Sequence, residues 1–232
     1  MFDSNEIIDL THPIDESIPL WPTFPRLNLE QTQWAARDVV TMDRVEMMTH
    51  TATHVDAPLH FIPEGKTLDD FSIEKFMGSG VVIDLTPKEP EEPITPKDIE
   101  PYEDVIEDDD ILLLHTGWDQ YYGRTPEYLF EFPYLTGETA EYIAELNPKA
   151  VGTEGASVAG WTGDVPNHGP ATDIPPEDSH LPLLKNDILA IEELRNLNEV
   201  LDGDSYQRAT VFYPPLNFNN TSGSSVRAFA IV

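Results

Sequence analysis

The stretch "HTATHVDAPLHF", residues 50–61, places His50, His54, Asp56 and His60 within eleven positions of a chain that has seven histidines among its 232 residues. Chance would put about 0.3 of a histidine in such a window, so the grouping asks for a chemical reason. Imidazole nitrogen and carboxylate oxygen are the donors that hold Zn²⁺, Mn²⁺ or Fe²⁺ where thiolate is missing. Cysteine is absent from this chain, which excludes disulfides, thiolate nucleophiles and Cys-ligated zinc.

The spacing restricts the backbone. In a regular strand His50, His54 and Asp56 share one face, but His50 and His54 then lie about 13 Å apart, too far for one ion. A helix would bring the two histidines together, yet Thr51, Thr53 and Val55 are β-branched and Pro58 follows them. The expectation is therefore a strand that bends at Ala52–Thr53 and curls its donors around a metal.

The elements that must carry this segment are short β-rich runs separated by turn signals. Strands are expected over 6–10, 44–51, 80–85, 111–116, 149–154, 187–192, 209–214 and 226–232. The clearest helix is "TGETAEYIAEL", 136–146, with Thr136 as its cap and Asn147-Pro148 as its stop; a shorter one starts at Thr95-Pro96. The Pro-rich stretch from Pro87 to Pro101 reads as a surface excursion between two strands. Length and the even spread of apolar runs point to one α/β domain, 1–232, with a mixed sheet.

Charge narrows the partners. The chain carries 43 acidic against 13 basic residues, a formal net charge of −30, so nucleic acid and anionic membrane are excluded as partners. Scattered acids with few lysines suit a salt-adapted microbe, in which concentrated cations screen the self-repulsion; an acidic surface for a basic partner is the alternative. With neither a leader pattern nor an apolar run of spanning length, a cytoplasmic location is expected.

The segment 50–61 resembles the signature H-x-G-T-H-x-D-x-P-x-H-F of the metal-dependent cyclase family, which includes bacterial kynurenine formamidases and isatin hydrolase. It departs from that signature only at Ala52, where the family has glycine. "IDLTHPIDESIPLWP" (8–22) resembles the family's opening strand and Trp-bearing loop, and "LLLHTGWDQYY" (112–122) its central strand and turn, with His115 in place of the usual Arg. "FPYLTGETAEYIAELNPKAVGTEGASV" (132–158) and "SHLPLLKNDILAIEEL" (179–194) are similar to later family segments, although Ala159 stands where Asp is common.

The resemblance implies a barrel-like mixed sheet with few helices, the swivelling β/β/α type, assembled as a homodimer or homotetramer. It implies one or two divalent ions per chain, Zn²⁺ or Mn²⁺, held by His50, His54, Asp56, His180 and Glu192, with Asp56 able to bridge and His60 as general acid/base. The reaction implied is hydrolysis of a small aryl amide such as N-formylkynurenine. Trp21, Phe24, Trp34, Phe61, Trp118 and Trp161 are candidates for an aromatic pocket, Trp21 and Phe61 being the preferred substrate contacts; His168 is a further candidate. A lactonase, dehydratase or cyclase using the same site, or a metal-bearing binding protein without turnover, are the alternatives. No G-x-S-x-G elbow, Walker loop or dinucleotide fingerprint occurs.

Overall fold

A computed structural model describes residues 7–232. In chain order its strands are β1 (Ile7–Asp9), β2 (Asn28–Gln33), β3 (Met42–Glu46), β4 (His54–Asp56), β5 (Met77–Asp84), β6 (Pro93–Ile94), β7 (Ile111–His115), β8 (Tyr134–Leu135), β9 (Ala150–Thr153), β10 (Leu189–Glu192), β11 (Tyr206–Phe212), β12 (Gly223–Ser225) and β13 (Phe229–Ile231). The helices are α1 (Ala35–Asp38), α2 (Pro96–Ile99), α3 (Pro126–Phe130), α4 (Gly137–Leu146), α5 (Pro176–Leu184) and α6 (Leu197–Leu201).

The run "ILLLH" of β7 shows how the sheet is built, because all five residues are buried. Ile111 and Leu113 join one apolar cluster with Val82, Ala150 and Ile191, whereas Leu112 and Leu114 join another with Val81, Val151 and Ala190. Alternation thus sends successive side chains to opposite faces, and both faces are covered. Helices α2, α4 and α5 contribute Ile99, Ile143 and Leu183 to one face, and α6 contributes Leu197 and Leu201 to the other.

Nine strands form one sheet in the order β1-β13-β11-β5-β7-β9-β10-β4-β12. Its centre, β5-β7-β9-β10, is parallel, and antiparallel pairs extend it on both sides. The sheet curls as a half-barrel whose order does not close, a mixed α/β architecture with few helices, as the sequence suggested. In such sheets the crevice beyond the carboxyl ends of the parallel strands is where ligands bind, and His115 and Glu192 lie at those ends.

Local chemistry explains the elements that were foreseen. Thr136 Oγ1 accepts from Thr139 N at 3.2 Å to open α4, and Asn147 ends it in the left-handed conformation. Thr95 and Asp98 form a reciprocal capping box at the start of α2. The expected strand 44–51 is corrected: β3 stops at Glu46 and pairs only with β2, in a two-stranded arm outside the main sheet. All five β3 residues are exposed, so nothing draws them into the core. Helix α5 falls in a segment for which the sequence predicts no helix. Pro175 and Pro176 read as loop, but Pro176 occupies the first turn, where a missing N–H is harmless. Among the described residues, no helix is long and apolar enough to cross a membrane.

Candidate metal centre

The bend expected at Ala52–Thr53 is present. Ala52 has φ +52°, in the left-handed region that glycine enters without strain, so alanine here adopts the glycine-like conformation. Its methyl group is buried among Ile18 and Leu27. Thr53 pins the curl: its Oγ1 donates to the Glu193 carbonyl at 2.5 Å and accepts from His12 N at 3.0 Å. The His50 and His54 rings end up 5.3 Å apart, centroid to centroid, although an extended strand would hold them far apart.

Beyond the bend, β4 runs antiparallel to β10, and the register sets Glu192 directly opposite His54. Helix α5 brings in His180. His54 Nε2 lies 3.4 Å from Asp56 Oδ1 and 3.3 Å from Glu192 Oε2. His180 Nε2 lies 3.4 Å from Glu192 Oε1 and 3.8 Å from Asp56 Oδ2. These gaps are long for good hydrogen bonds; the three at 3.3–3.4 Å are near the roughly 3.4 Å separation of donors that share a first-row ion at about 2.1 Å, and the one at 3.8 Å is wider.

The remaining atoms support the same fit. His54 Nδ1 and His180 Nδ1 each lie within hydrogen-bond reach of a backbone carbonyl, Ala52 at 2.7 Å and Pro176 at 2.8 Å. Donation to those carbonyls leaves both Nε2 lone pairs directed at the carboxylates. Asp56 Oδ2 is buried without a hydrogen-bond partner among the described residues, and a cation between the nitrogens and the carboxylates would satisfy it. Ser157 Oγ and Val158 N donate to Glu192 Oε1 at 3.0 and 2.8 Å and fix that carboxylate. The donor set is nitrogen and oxygen only, which suits a divalent metal ion.

A second grouping shares Asp56. His50 Nδ1 is 2.6 Å from Asp56 Oδ1, and His60 completes a cluster of His50, Asp56 and His60, beside that of His54, Asp56 and Glu192. The expected set joined His50 to His54 on one ion and left His60 outside; in the structure His50 sits with His60, stacked at 4.0 Å. Ser222 Oγ lies 2.9 Å from His50 Nε2, and a Cβ on Gly223 would come within 2.5 Å of the His50 ring. Glycine is required there for space.

Electrostatics follow the geometry. Burial works against the charged form of His54, but Asp56 and Glu192 outweigh it and raise its pKa well above the ordinary histidine value. Burial would raise Asp56, and the neighbouring His50 and His60 instead hold it well below the usual carboxylate range. Glu192, despite burial and the adjacent Asp56, is held at about 2 by His180 and His54. His60 falls below the ordinary histidine value, chiefly through desolvation, with Asp56 opposing that shift and His50 adding to it.

These donors face a cavity of about 270 Å³. Trp21, Phe24 and Phe61 line it, together with His50, His60 and His180. Phe61 stacks on His180 at 4.0 Å. Trp161 stands edge-on to Trp21 at 5.2 Å and is buried behind it. Trp118 is core, and Trp34 is exposed beside the two-stranded arm. His168 stacks on Phe130 and is not among the cavity's lining residues. His115 Nδ1 is 2.9 Å from the buried Glu154, whose Oε2 accepts from Thr116, Gly117 and Trp118 backbone N–H groups. Ala159 lines the cavity without supplying a carboxylate.

Four residues of the site were missed in the sequence: Ser157, Ser222, Gly223 and Glu193. Small residues such as Ser157, Ser222 and Gly223 carry no spacing signal. Glu193, next to Glu192, reads as one more acid of an acidic chain. In the structure it is buried, lines the cavity, has φ +57°, and is pushed up to about 8 by desolvation.

Comparison with known proteins identifies a family. The profile of the family described as "Putative cyclase" matches residues 8–159. A kynurenine formamidase of Bacillus cereus (strain ATCC 10987 / NRS 248) is 30% identical over 227 residues, 97% of each chain. Isatin hydrolase A from Labrenzia aggregata, solved with benzyl benzoate bound, is 28% identical with a TM-score of 0.81, covering 97% of this chain and 93% of its own. A solved structure described as a potential metal-dependent hydrolase with cyclase activity has a TM-score of 0.75 at 24% identity, covering 97% of this chain and 96% of its own. That likeness concerns the fold alone.

Proposed function

The chain belongs to the cyclase family, and from that premise we propose that it hydrolyses a small aryl amide, with an arylformamide such as N-formylkynurenine as the leading substrate. Its relatives are kynurenine formamidases and isatin hydrolases, and the enzyme is a metal-dependent amidohydrolase acting on C–N bonds. The overall change is amide plus water to carboxylic acid plus amine; for an N-formyl aniline these are formate and the free aniline.

The observation that carries the reading is the grouping of His54, Asp56 and Glu192, with His180 Nε2 3.4 Å from Glu192 Oε1, beside an aromatic cavity. A divalent ion held there supplies Lewis acidity, lowering the pKa of water and polarising a carbonyl. His54 and His180 would offer Nε2, with Nδ1 held by carbonyls; Asp56, common to both groupings, and Glu192 would offset the charge of a bound ion. His60 faces the cavity with its pKa below the usual histidine value, so it is neutral at pH 7. It can take a proton from water and return it to the leaving amine. Trp21, Phe24 and Phe61 suit a planar aryl group.

The test splits ligand from base. His60→Ala should keep its metal and lose roughly 10²–10⁴ in kcat, the usual worth of a positioned proton-transfer group. Asp56→Ala and His54→Ala should lose metal and activity together, and Glu192→Gln should do so more weakly. Elemental analysis beside turnover of N-formylkynurenine reads both. Metal lost from His60→Ala would make His60 a ligand of the His50–Asp56 grouping. Binding of aryl amides without turnover under any common divalent ion would replace the hydrolase by a binding protein, and turnover of lactones alone would move the reaction class.

A further inference from the structure

The two-stranded arm carries apolar side chains that the rest of the described fold leaves uncovered. Of the fourteen large apolar residues exposed among the described residues, seven fall within 29–48, Trp34, Val39, Met42 and Val45 among them. Monomeric proteins scatter such side chains singly, whereas a cluster of them marks an interaction surface. Leu29 stands directly across from Val45 in the β2–β3 register, so the two form a cross-strand apolar pair open to solvent. In the connection between the strands Val39 is 88% exposed and has φ +72°, an outlying conformation for a β-branched residue.

The base of the arm is anchored: Leu27 and Met47 pack with Ile18 and Ala52 of the body. Its outer part lacks such support. Two strands alone are at best marginally stable in water and need further strands or a packed face, and β2 and β3 pair only with each other among the described residues, so each keeps an open edge. The two arginines of this segment are already neutralised, Arg37 by Asp38 and Arg44 by Glu30, both at 2.7 Å, which leaves little charge for recognising an acidic or basic partner. A matching apolar face beside a matching strand edge is what a second copy of this chain brings, and self-complementary two-fold pairing is the commonest form of oligomer. A stable interface takes about 20–30 residues from each side, and the segment 29–48 is of that length. We propose that residues 29–48 form the surface through which two copies of this chain pair, arm against arm. Such pairing is independent of the reaction catalysed.

Sedimentation equilibrium of the full chain as purified, over micromolar concentrations and from dilute to molar KCl, reads the pairing. Wild type should be a dimer that tightens with salt, because salt screens the repulsion between two chains of net charge −30. Val45→Lys sets an ammonium in the apolar face and should weaken the dimer by about a hundredfold or more. Val39→Asn, which suits a left-handed backbone and so spares the monomer, should weaken it by about tenfold. Ile73→Lys and Leu216→Lys alter exposed apolar residues on a different part of the surface and should leave the dimer within about threefold of wild type. Hydrogen exchange on the unaltered chain gives a second reading: the amides of β2 and β3 should be better protected at concentrations where the dimer forms than after dilution.

A monomer at every concentration and salt would overturn the proposal. So would a dimer that Ile73→Lys or Leu216→Lys dissociates while both arm variants stay paired, since the interface would then lie on that other face. Dissociation on adding salt would make the contact ionic and overturn it as well. If the arm variants fold poorly, exchange on wild type decides alone: arm amides as open in the dimer as in the monomer would exclude the arm from the interface.

Discussion

Ala52 decides whether the donors meet, and its energetics are nearly balanced. A left-handed alanine is strained by about 1–2 kcal/mol, which glycine would relieve. Glycine would also give up a buried methyl, worth about 0.8 kcal/mol, and loosen the unfolded chain by about 0.4–1 kcal/mol. Ala52→Gly should therefore change stability by less than about 1 kcal/mol in urea unfolding, whereas Ala52→Val, β-branched at φ +52°, should lose about 2 kcal/mol or more. A large loss from the glycine variant would mean that the methyl contact with Ile18 and Leu27 matters more than the backbone. At this scale the site was legible where its residues are rare and close: His50, His54, Asp56 and His60 stand out against few histidines. His180 and Glu192 came only from likeness to a family, since nothing local marks them. Ser222 and Gly223 could not be found without knowing that β12 lies against β4.

Elements were legible where capping chemistry or apolar density is local. Thr136 and Thr95 announced α4 and α2, and "ILLLH" announced a central strand. The arm β2–β3 and helix α5 were not, because a polar strand lacks alternation and prolines at a helix start resemble those of a loop. The cap of α2 makes a pH prediction. Burial raises the Asp98 pKa, but hydrogen bonds from Lys88 and Thr95 bring it below its ordinary value. A carboxylate with its pKa lowered in the folded state stabilises the fold above its unfolded pKa, and that stability is lost as pH falls through the lower folded value. Asp98→Asn should thus be less stable by about 1 kcal/mol at pH 7, and the difference should shrink steadily below about pH 4. Urea melts of both proteins across that range measure it; a constant gap would mean that the charge of Asp98 contributes nothing.

The whole molecule carries a net charge of −30, and self-repulsion of that size should be relieved when the Debye length shrinks from about 10 Å at 0.1 M salt to about 3 Å at 1 M. We expect the melting temperature to rise from dilute to molar KCl; a flat or falling curve would count against salt adaptation. The fold also imposes an order on its own making. β1 pairs with β13, and β4, which carries His54 and Asp56, has its outer edge covered by β12. Both flanks of the sheet therefore wait for β12 and β13, which follow all the other strands in the sequence. While the ribosome is still extending it, the nascent protein exposes two unpaired strand edges, the kind of surface that recruits other chains or chaperones. A polypeptide stalled before residue 222 would lack the serine and glycine that seat His50, so the centre is not complete until β12 has been made.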